Sequence, residues 1–575
     1  MKRKILIFSA VVTLLTGCLN EKNESYTTTD NYFQDVNQIM TGINGCYNSL
    51  RNIYSARGFW EMTDVAADLM YTSSSSLYNS NCDVSPARPG IASTVWRYGY
   101  AGVKDTNEMT AAIAAAVENG YITEAEAAPL YAETAVLRAL YYYLLTSTFG
   151  DVPFYAERVT EENRERIATL PRMDAVATRD YCIAELDKWL VREQALPMIR
   201  TYEGNEFRAG AAVGYVVAAK MCMWNERWEE AIAFLSKVED IYGHYADSPS
   251  SFGTDYPLTD VPFAKRYVRE SIFEMANVVE TYGTQTTAMI AACCLPSRVA
   301  NSVIENALNP DGGADDEYTE EDGEQLEDNS GSDCYAGIRI PELGGNSRTS
   351  ATARPTTYLY SRLMPYASAD LRSGEYSNGA NSPRGGSGTL AWRWIGYDPI
   401  EDPENTDRKV MFFWSSSSSK SKIKATDRPW MGNKFWAYDM NNTKDPNNYK
   451  IFRFADVLLM KAEAHLQMNE YDLACKYLNV TRVRAGLNEV AYVSLGSEPE
   501  ALMEEIRMER ARELVGEFHR KFDLVRWGIW YERTVAYNEG SYLKEYIRPC
   551  HRYWPIPADQ VAYSGNALDN DEYLE

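Results

Sequence analysis

Ala219-Lys-Met-Cys-Met-Trp-Asn-Glu-Arg-Trp-Glu-Glu-Ala-Ile-Ala-Phe-Leu235 and Ala462-Glu-Ala-His-Leu-Gln-Met-Asn-Glu-Tyr-Asp-Leu-Ala-Cys-Lys-Tyr-Leu478 decide the fold of this chain. They align on their alanines. Ala219 and Ala231 are twelve apart, as are Ala462 and Ala474; each second alanine follows an aromatic by three (Trp228, Tyr471) and precedes a leucine by four (Leu235, Leu478). Offsets of three and four place residues on one helical face. Small residues on such a face let two helices touch, and the large ones wedge against the next pair.

This pattern resembles the tetratricopeptide helix pair, which stacks into a helical scaffold that presents surfaces. Helical periodicity extends outward from it. Ala132, Ala135, Val136, Ala139, Leu140 and Tyr143 form one apolar face, which Phe149-Gly-Asp-Val-Pro153 stops. Val176, Cys182, Ile183, Leu186 and Leu190 predict another helix over 175–190. Periodicity fades over 245–450, where Pro, Gly, Ser and Asn are frequent, and the serine runs 73–76 and 415–419 read as loop tips. Residues 311–333 carry eleven Asp and Glu and no Lys or Arg. Asp311-Gly-Gly-Ala-Asp-Asp316 lacks the spaced ligands of a calcium-binding EF-hand, so this stretch reads as a solvated insertion.

Across 575 residues, 81 acidic against 57 basic side chains give a formal charge of −24, which repels phosphate polyanions and argues against nucleic-acid binding. The 41 Tyr and 13 Trp against four His favour binding over acid–base or metal chemistry. At the N-terminus, basic Met1-Lys-Arg-Lys4 precedes an apolar stretch from Ile5 to Leu15, too short to span a bilayer and typical of a signal peptide. It ends in Leu15-Thr-Gly-Cys18, which resembles a bacterial lipobox. Residues 1–17 are therefore expected to be a signal peptide, Cys18 the lipid anchor and 18–30 a tether, with no later segment fit to span a membrane. Nine further cysteines lack a metal-site spacing; Cys182, Cys222 and Cys475 fall on apolar helix faces, as small buried hydrophobes do.

No catalytic constellation is evident. His244, His465, His519 and His551 sit in no HExxH or triad context, and the chain has no GxSxG elbow, P-loop or dinucleotide fingerprint. Glu509 and Glu513 share a helical face, and paired carboxylates are what glycosidases need. Arg510, Arg512 and Arg526 beside them would lower carboxyl pKa values, which suits a structural ion network better than a general acid.

An ordered set of motifs adds to this reading. Trp96-x3-Tyr100-x2-Val103-x2-Thr106-Asn107, Leu137-Arg-Ala-Leu-Tyr-Tyr-Tyr-Leu-Leu-Thr-Ser-Thr-Phe-Gly-Asp-Val-Pro153, Arg453-Phe-Ala-Asp-Val-Leu-Leu-Met-Lys-Ala-Glu-Ala464 and Val483-Arg-Ala-Gly-Leu487 are followed by Glu509-Arg-Ala-Arg-Glu-Leu514, Arg520-Lys-Phe-Asp-Leu-Val-Arg-Trp527, Trp554-Pro-Ile-Pro557 and Asn570-Asp-Glu-Tyr573. Together with the lipobox they resemble the SusD/RagB family of outer-membrane glycan-binding lipoproteins. Asp569, where the family tends to have Gln, and Asp571-Glu572, in place of Pro-Gly, depart from its pattern and put the last turn's geometry in question.

The resemblance implies a mostly α, tetratricopeptide-like scaffold: helical parts at 31–244 and 450–575 and a loop-rich central subdomain at 245–449. It implies a non-enzymatic, surface-exposed lipoprotein without cofactor or metal, which catches an oligosaccharide and delivers it to a TonB-dependent outer-membrane barrel. The alternatives are an exported glycoside hydrolase and a binder of another nutrient such as peptide. In the family the glycan site forms from the loop before the first-helix signature and from the central insertion. Neither loop offers a motif to align, so candidates are chosen by chemistry: Tyr71 and Tyr78 flanking the serine run, Arg88 with its planar donor fork, Trp96, Tyr282, Trp392 and Trp394. Flat aromatic faces suit sugar C–H surfaces. Trp554-Pro-Ile-Pro557 is expected to be a structural latch that makes no ligand contact.

Overall fold

The computed structural model describes residues 32–197, 206–277, 287–294, 298–299, 334–335, 352–364, 369–377, 391–395, 399–402, 405–411, 430–431, 433–435 and 447–574. Cys18, Tyr282, the acidic stretch 311–333 and the serine run 415–419 lie outside them.

Three long helices open the scaffold: α1 (Val36–Tyr54), α2 (Ala92–Glu118) and α3 (Glu124–Phe149). Asp35 caps α1 by accepting from Gln38 N, and Thr123 and Glu126 form a reciprocal capping box on α3. Glycines let α2 and α3 approach closely; a Cβ at Gly102 would stand 2.0 Å from Tyr141 Cζ. α3 is buried all round through its second half, so its hydrophobicity is not confined to one face. It ends where the breaker was expected, at Gly150 with φ 72°.

α4 (Ala175–Leu186) packs between α3 and α5 (Ala211–Trp224). The expected helix over 175–190 keeps α geometry only to Leu186 and then continues as a π-turn, Asp187–Arg192. α5 pairs with α6 (Trp228–Tyr242), and α7 (Phe454–Gln467) pairs with α8 (Tyr471–Arg484). Ala219, Ala231, Ala462 and Ala474 are all fully buried at the contacts, as are Leu235 and Leu478. α6 packs on α7, so helices from the two ends of the chain form one mostly helical, tetratricopeptide-like stack. The buried Lys461–Glu239 ion pair crosses that joint, and Tyr477 Oη donates to Glu239 at 3.1 Å. α9 (Pro499–Leu514), α10 (Arg520–Arg526), α11 (Trp530–Tyr537) and α12 (Ser541–Tyr546) follow.

The strands are short. β1 (Met70–Tyr71) pairs antiparallel with β3 (Arg354–Pro355), and β2 (Ser271–Met275) pairs with β7 (Tyr449–Arg453), fully buried, which leads into α7. A three-stranded sheet runs in the order β6 (Trp430–Met431), β5 (Ala391–Ile395), β4 (Ser373–Ser377). The described parts of the central region thus include paired strands, where the sequence pattern suggested mainly loop.

Trp554-Pro-Ile-Pro557 latches the C-terminus onto α3. Trp554 is buried and its backbone N–H donates to Thr148 O at 2.8 Å, while Asn570 exchanges two 2.8 Å hydrogen bonds with the Ile556 backbone. Asp571–Tyr573 form a 3-10 turn, and Tyr573 Oη reaches Tyr553 O at 2.7 Å. Cys182, Cys222 and Cys475 are buried as expected, and none of the three is in a disulfide.

Candidate functional site

The loop between β1 and α2 is built as a fixed platform. Buried Asn79 anchors it: its Oδ1 accepts from Ile91 N at 2.9 Å and its Nδ2 donates to Glu61 at 3.3 Å. Gly90, at φ 60°, closes over this side chain; a Cβ there would lie 2.4 Å from Asn79 Oδ1, so only glycine fits. Asn81 Nδ2 donates to Ser74 O at 2.9 Å and fixes the serine run, while Ser85 and Arg88 pair across a tight turn. The C-terminal segment clamps that turn through Ala558 N, which donates to Pro86 O at 2.9 Å.

On this loop Tyr78 is 36% exposed, and the Arg88 guanidinium lies 5.0 Å from its ring centroid. Asp83 holds the same guanidinium at 2.5 Å. The three side chains combine an aromatic ring with charged hydrogen-bonding groups, the chemistry that suits a sugar face and its hydroxyls. Sequence reasoning missed Asp83; an acidic residue five positions before Arg88 was the available signal.

The other candidates divide. Tyr71 is half-buried on β1, opposite Arg354. β6 lies against β3 and pairs with β5, with Trp430 opposite Trp392, so the backbone carrying Trp392 and Trp394 comes close to the base of the loop. Both tryptophans are on a strand, which corrects their placement in a loop: pairing with β4 and β6 supplies the hydrogen bonds a loop would lack. Trp96 is a correction of another kind. It is only 6% exposed, set 5.1 Å from the ring of Phe149 and 4.9 Å from that of Tyr100, so it is core and presents no face to a ligand.

The acidic pair on α9 is structural. Glu509 and Glu513 are fully buried, and Arg372 Nη1 reaches both at 2.8 Å. Arg453 pairs with Glu517 and Glu270 at 2.7 Å, and Arg484 pairs with Glu270 at 2.8 Å and with Glu513. Burial pushes the Glu513 carboxyl up, and the guanidiniums of Arg484, Arg453 and Arg372 outweigh it, holding it well below the usual range. A general acid needs the opposite shift. His465 is packed, its ring stacked on Tyr477 at 5.2 Å. Among the described residues no group of three or more His, Cys, Asp and Glu could hold a metal ion, and no helix is long and apolar enough to cross a membrane.

Comparison with known proteins agrees with the helical fold. Residues 269–573 match the SusD family, and residues 18–221 match a family described as starch-binding and associating with the outer membrane. A SusD-like protein of Formosa agariphila is 23% identical over 595 residues, covering 99% of this chain and 98% of its own. A SusD superfamily protein of Bacteroides vulgatus superposes with TM-score 0.62 at 17% identity, covering 94% of this chain and 99% of that one. Surface glycan-binding protein A of Bacteroides thetaiotaomicron, solved in complex with laminarihexaose, gives TM-score 0.61 at 20% identity, covering 93% and 99%. Proteins of this family bind glycans without transforming them. The helical stack, the latch and the family match over more than half the sequence lead to one conclusion: this chain belongs to the SusD family of non-catalytic, outer-membrane-associated surface glycan-binding proteins.

Proposed function

We propose that this protein captures an oligosaccharide on the loop 72–91 and delivers it to a TonB-dependent outer-membrane transporter, while lipid on Cys18 holds it to the membrane. The observation that carries the reading is the exposed Tyr78–Arg88 pair on a loop whose turns are pinned by buried Asn79 and by the C-terminal segment. A platform already ordered before binding loses little entropy when the ligand arrives. Tyr71, Tyr282, Trp392 and Trp394 complete the candidate set, Tyr71, Trp392 and Trp394 through the neighbouring small sheets. A family relative solved with laminarihexaose makes β-glucan the first ligand class to try.

Calorimetry with laminarihexaose and a panel of other oligosaccharides and peptides tests this reading. An aromatic platform contributes on the order of 1 kcal/mol, so Tyr78→Ala should weaken glycan binding several-fold. Wild-type affinity in every variant of Tyr71, Tyr78, Arg88, Tyr282, Trp392 and Trp394 would refute the placement, and binding of peptides alone would refute the glycan reading. For the anchor, Cys18→Ala should release the protein from membrane in a strain lacking a partner barrel; retention there would refute it.

A further inference from the structure

The end of α11 and the segment after β3 meet where the chain enters the loop 72–91. Asn538, next after α11, is buried, and its Nδ2 donates to the carbonyls of Val65, Ala67 and Met70 at 3.0, 2.6 and 2.8 Å. Gly540 comes so close to the loop that a Cβ on it would stand 3.0 Å from Thr72 O. Between these two contacts sits exposed Glu539, whose Oε1 accepts from Thr357 N at 2.6 Å. Thr357 lies two residues beyond β3, whose Arg354 stands opposite Tyr71.

The same two segments touch again through their rings. Tyr537, the last residue of α11, stacks on Tyr358 with centroids 4.0 Å apart and planes at 22°. Tyr358 is only 5% exposed and is the inner ring; Tyr537 is half-buried and is the outer one. The Arg533 guanidinium is 5.1 Å from both centroids, and its Nη2 donates to Tyr358 Oη at 2.5 Å. A group equidistant from two stacked rings stands at their edge and covers neither outer face. Glu504 at 2.7 Å and Asp68 at 3.5 Å hold that guanidinium in place. Tyr537 therefore meets solvent on its remaining side, and among the described residues no other ring or cation lies against it. Glu539 Oε2 likewise has no hydrogen-bond partner among them. A sugar can stack its C–H face on such a ring while a hydroxyl donates to such a carboxylate. Both side chains are held before any ligand arrives, which keeps the entropic cost of binding small.

We propose that Tyr537 and Glu539 form a further sugar subsite at the base of the loop 72–91. The Tyr537 ring takes the C–H face of one sugar unit, and Glu539 Oε2 accepts from a hydroxyl of that unit. This rests on the reading that the loop 72–91 binds glycan, and it makes that loop one end of a longer footprint.

The test is calorimetry of the full lipid-free protein with laminarihexaose, maltohexaose, mannohexaose and xylohexaose. Tyr537→Ala should weaken the hexasaccharide that binds by about two- to ten-fold, and Tyr537→Phe should keep most of the affinity. Tyr537→Leu keeps apolar bulk against Tyr358 but loses the flat face; it should weaken binding too, and it replaces the alanine variant if that one unfolds. Glu539→Gln can still accept from Thr357 N and should cost about two- to five-fold. If Tyr78→Ala weakens binding while the Tyr537 and Glu539 variants only lower the melting temperature, the subsite is wrong and the loop reading stands. If the Tyr537 variants weaken binding and Tyr78→Ala does not, the loop reading is wrong, and the continuous footprint falls with it. If none of these variants matters, both are wrong. Binding of none of the four hexasaccharides overturns the proposal as well.

Discussion

Replacing Glu513 by glutamine keeps the shape of the side chain and removes one charge from a fully buried network. That network joins α9 to β2, β7 and the segment around Arg372. Its acids are Asp370, Glu270, Glu509, Glu513 and Glu517; its bases are Arg372, Arg453, Arg484, Arg512 and Lys434. Five negative charges face five positive ones. Glu513→Gln leaves one cation in excess, with Arg372, Arg453 and Arg484 all losing a partner. Removing one partner of a buried pair costs about 3–5 kcal/mol, because the remaining charge stays desolvated. Urea unfolding followed by tryptophan fluorescence should show a loss of that size. The double variant Glu513→Gln with Arg484→Met restores the balance and should recover much of it, since an apolar replacement of a whole pair is often close to neutral. A single-variant loss below about 1 kcal/mol would refute the reasoning, as would a double variant no better than the sum of the two single losses.

Trp554→Ala should lower the melting temperature, corresponding to about 3–5 kcal/mol, with glycan affinity unchanged in folded protein, since the ring is buried in the latch beneath Lys521; weaker binding with unchanged melting would make it a ligand residue. Gly102→Ala should destabilise by about 1–3 kcal/mol despite alanine's better helix propensity, because the new methyl would sit inside the Tyr141 ring's contact distance; a stabilised variant would contradict the α2–α3 packing. His519 and His551 are held down to about 3 from 6.5, by burial first and then by nearby Lys220 and Lys521 respectively. As pH falls below 6.5 the unfolded chain takes protons the folded one refuses, so stability drops between pH 6.5 and 3, by about 2–3 kcal/mol per histidine at pH 4.5. His551→Asn, which still offers an acceptor to Arg548 N–H, should flatten part of that slope in urea titrations at pH 7 and 4.5; an unchanged slope would mean the histidine titrates normally.

The scaffold was legible because its signal is local and repeated. Ala219, Ala231, Ala462 and Ala474 needed only their spacing to declare a helix pair, and all four are buried at helix contacts. The latch was legible too, since Trp554 and its prolines allow little else. The ion network was half legible: Glu509 and Glu513 announce a charged face, but Arg372 arrives from 137 residues away, and no local pattern predicts that pairing. The candidate site was harder for a related reason. Trp96 and Tyr78 are both aromatic residues near one loop, and only the packing of Phe149 over one and Arg88 over the other separates core from surface. Trp392 and Trp394 stand among turn-forming residues, and their strand is set by partners at 373–377 and 430–431.

The segment 65–70 that leads into the loop 72–91, and one turn of the loop itself, are tied by the far end of the chain, and this sets an order of events. Asn538 Nδ2 donates to the carbonyls of Val65, Ala67 and Met70, Arg520 pairs with Asp68 across 452 residues, and Ala558 holds Pro86. Closing such long loops is slow and is rewarded only when the last helices arrive. A nascent chain therefore displays the sequence of the loop 72–91 long before it displays the shape. The clamped shape of that loop matures last, so a molecule that presents it is one whose entire course of folding has already run to its end.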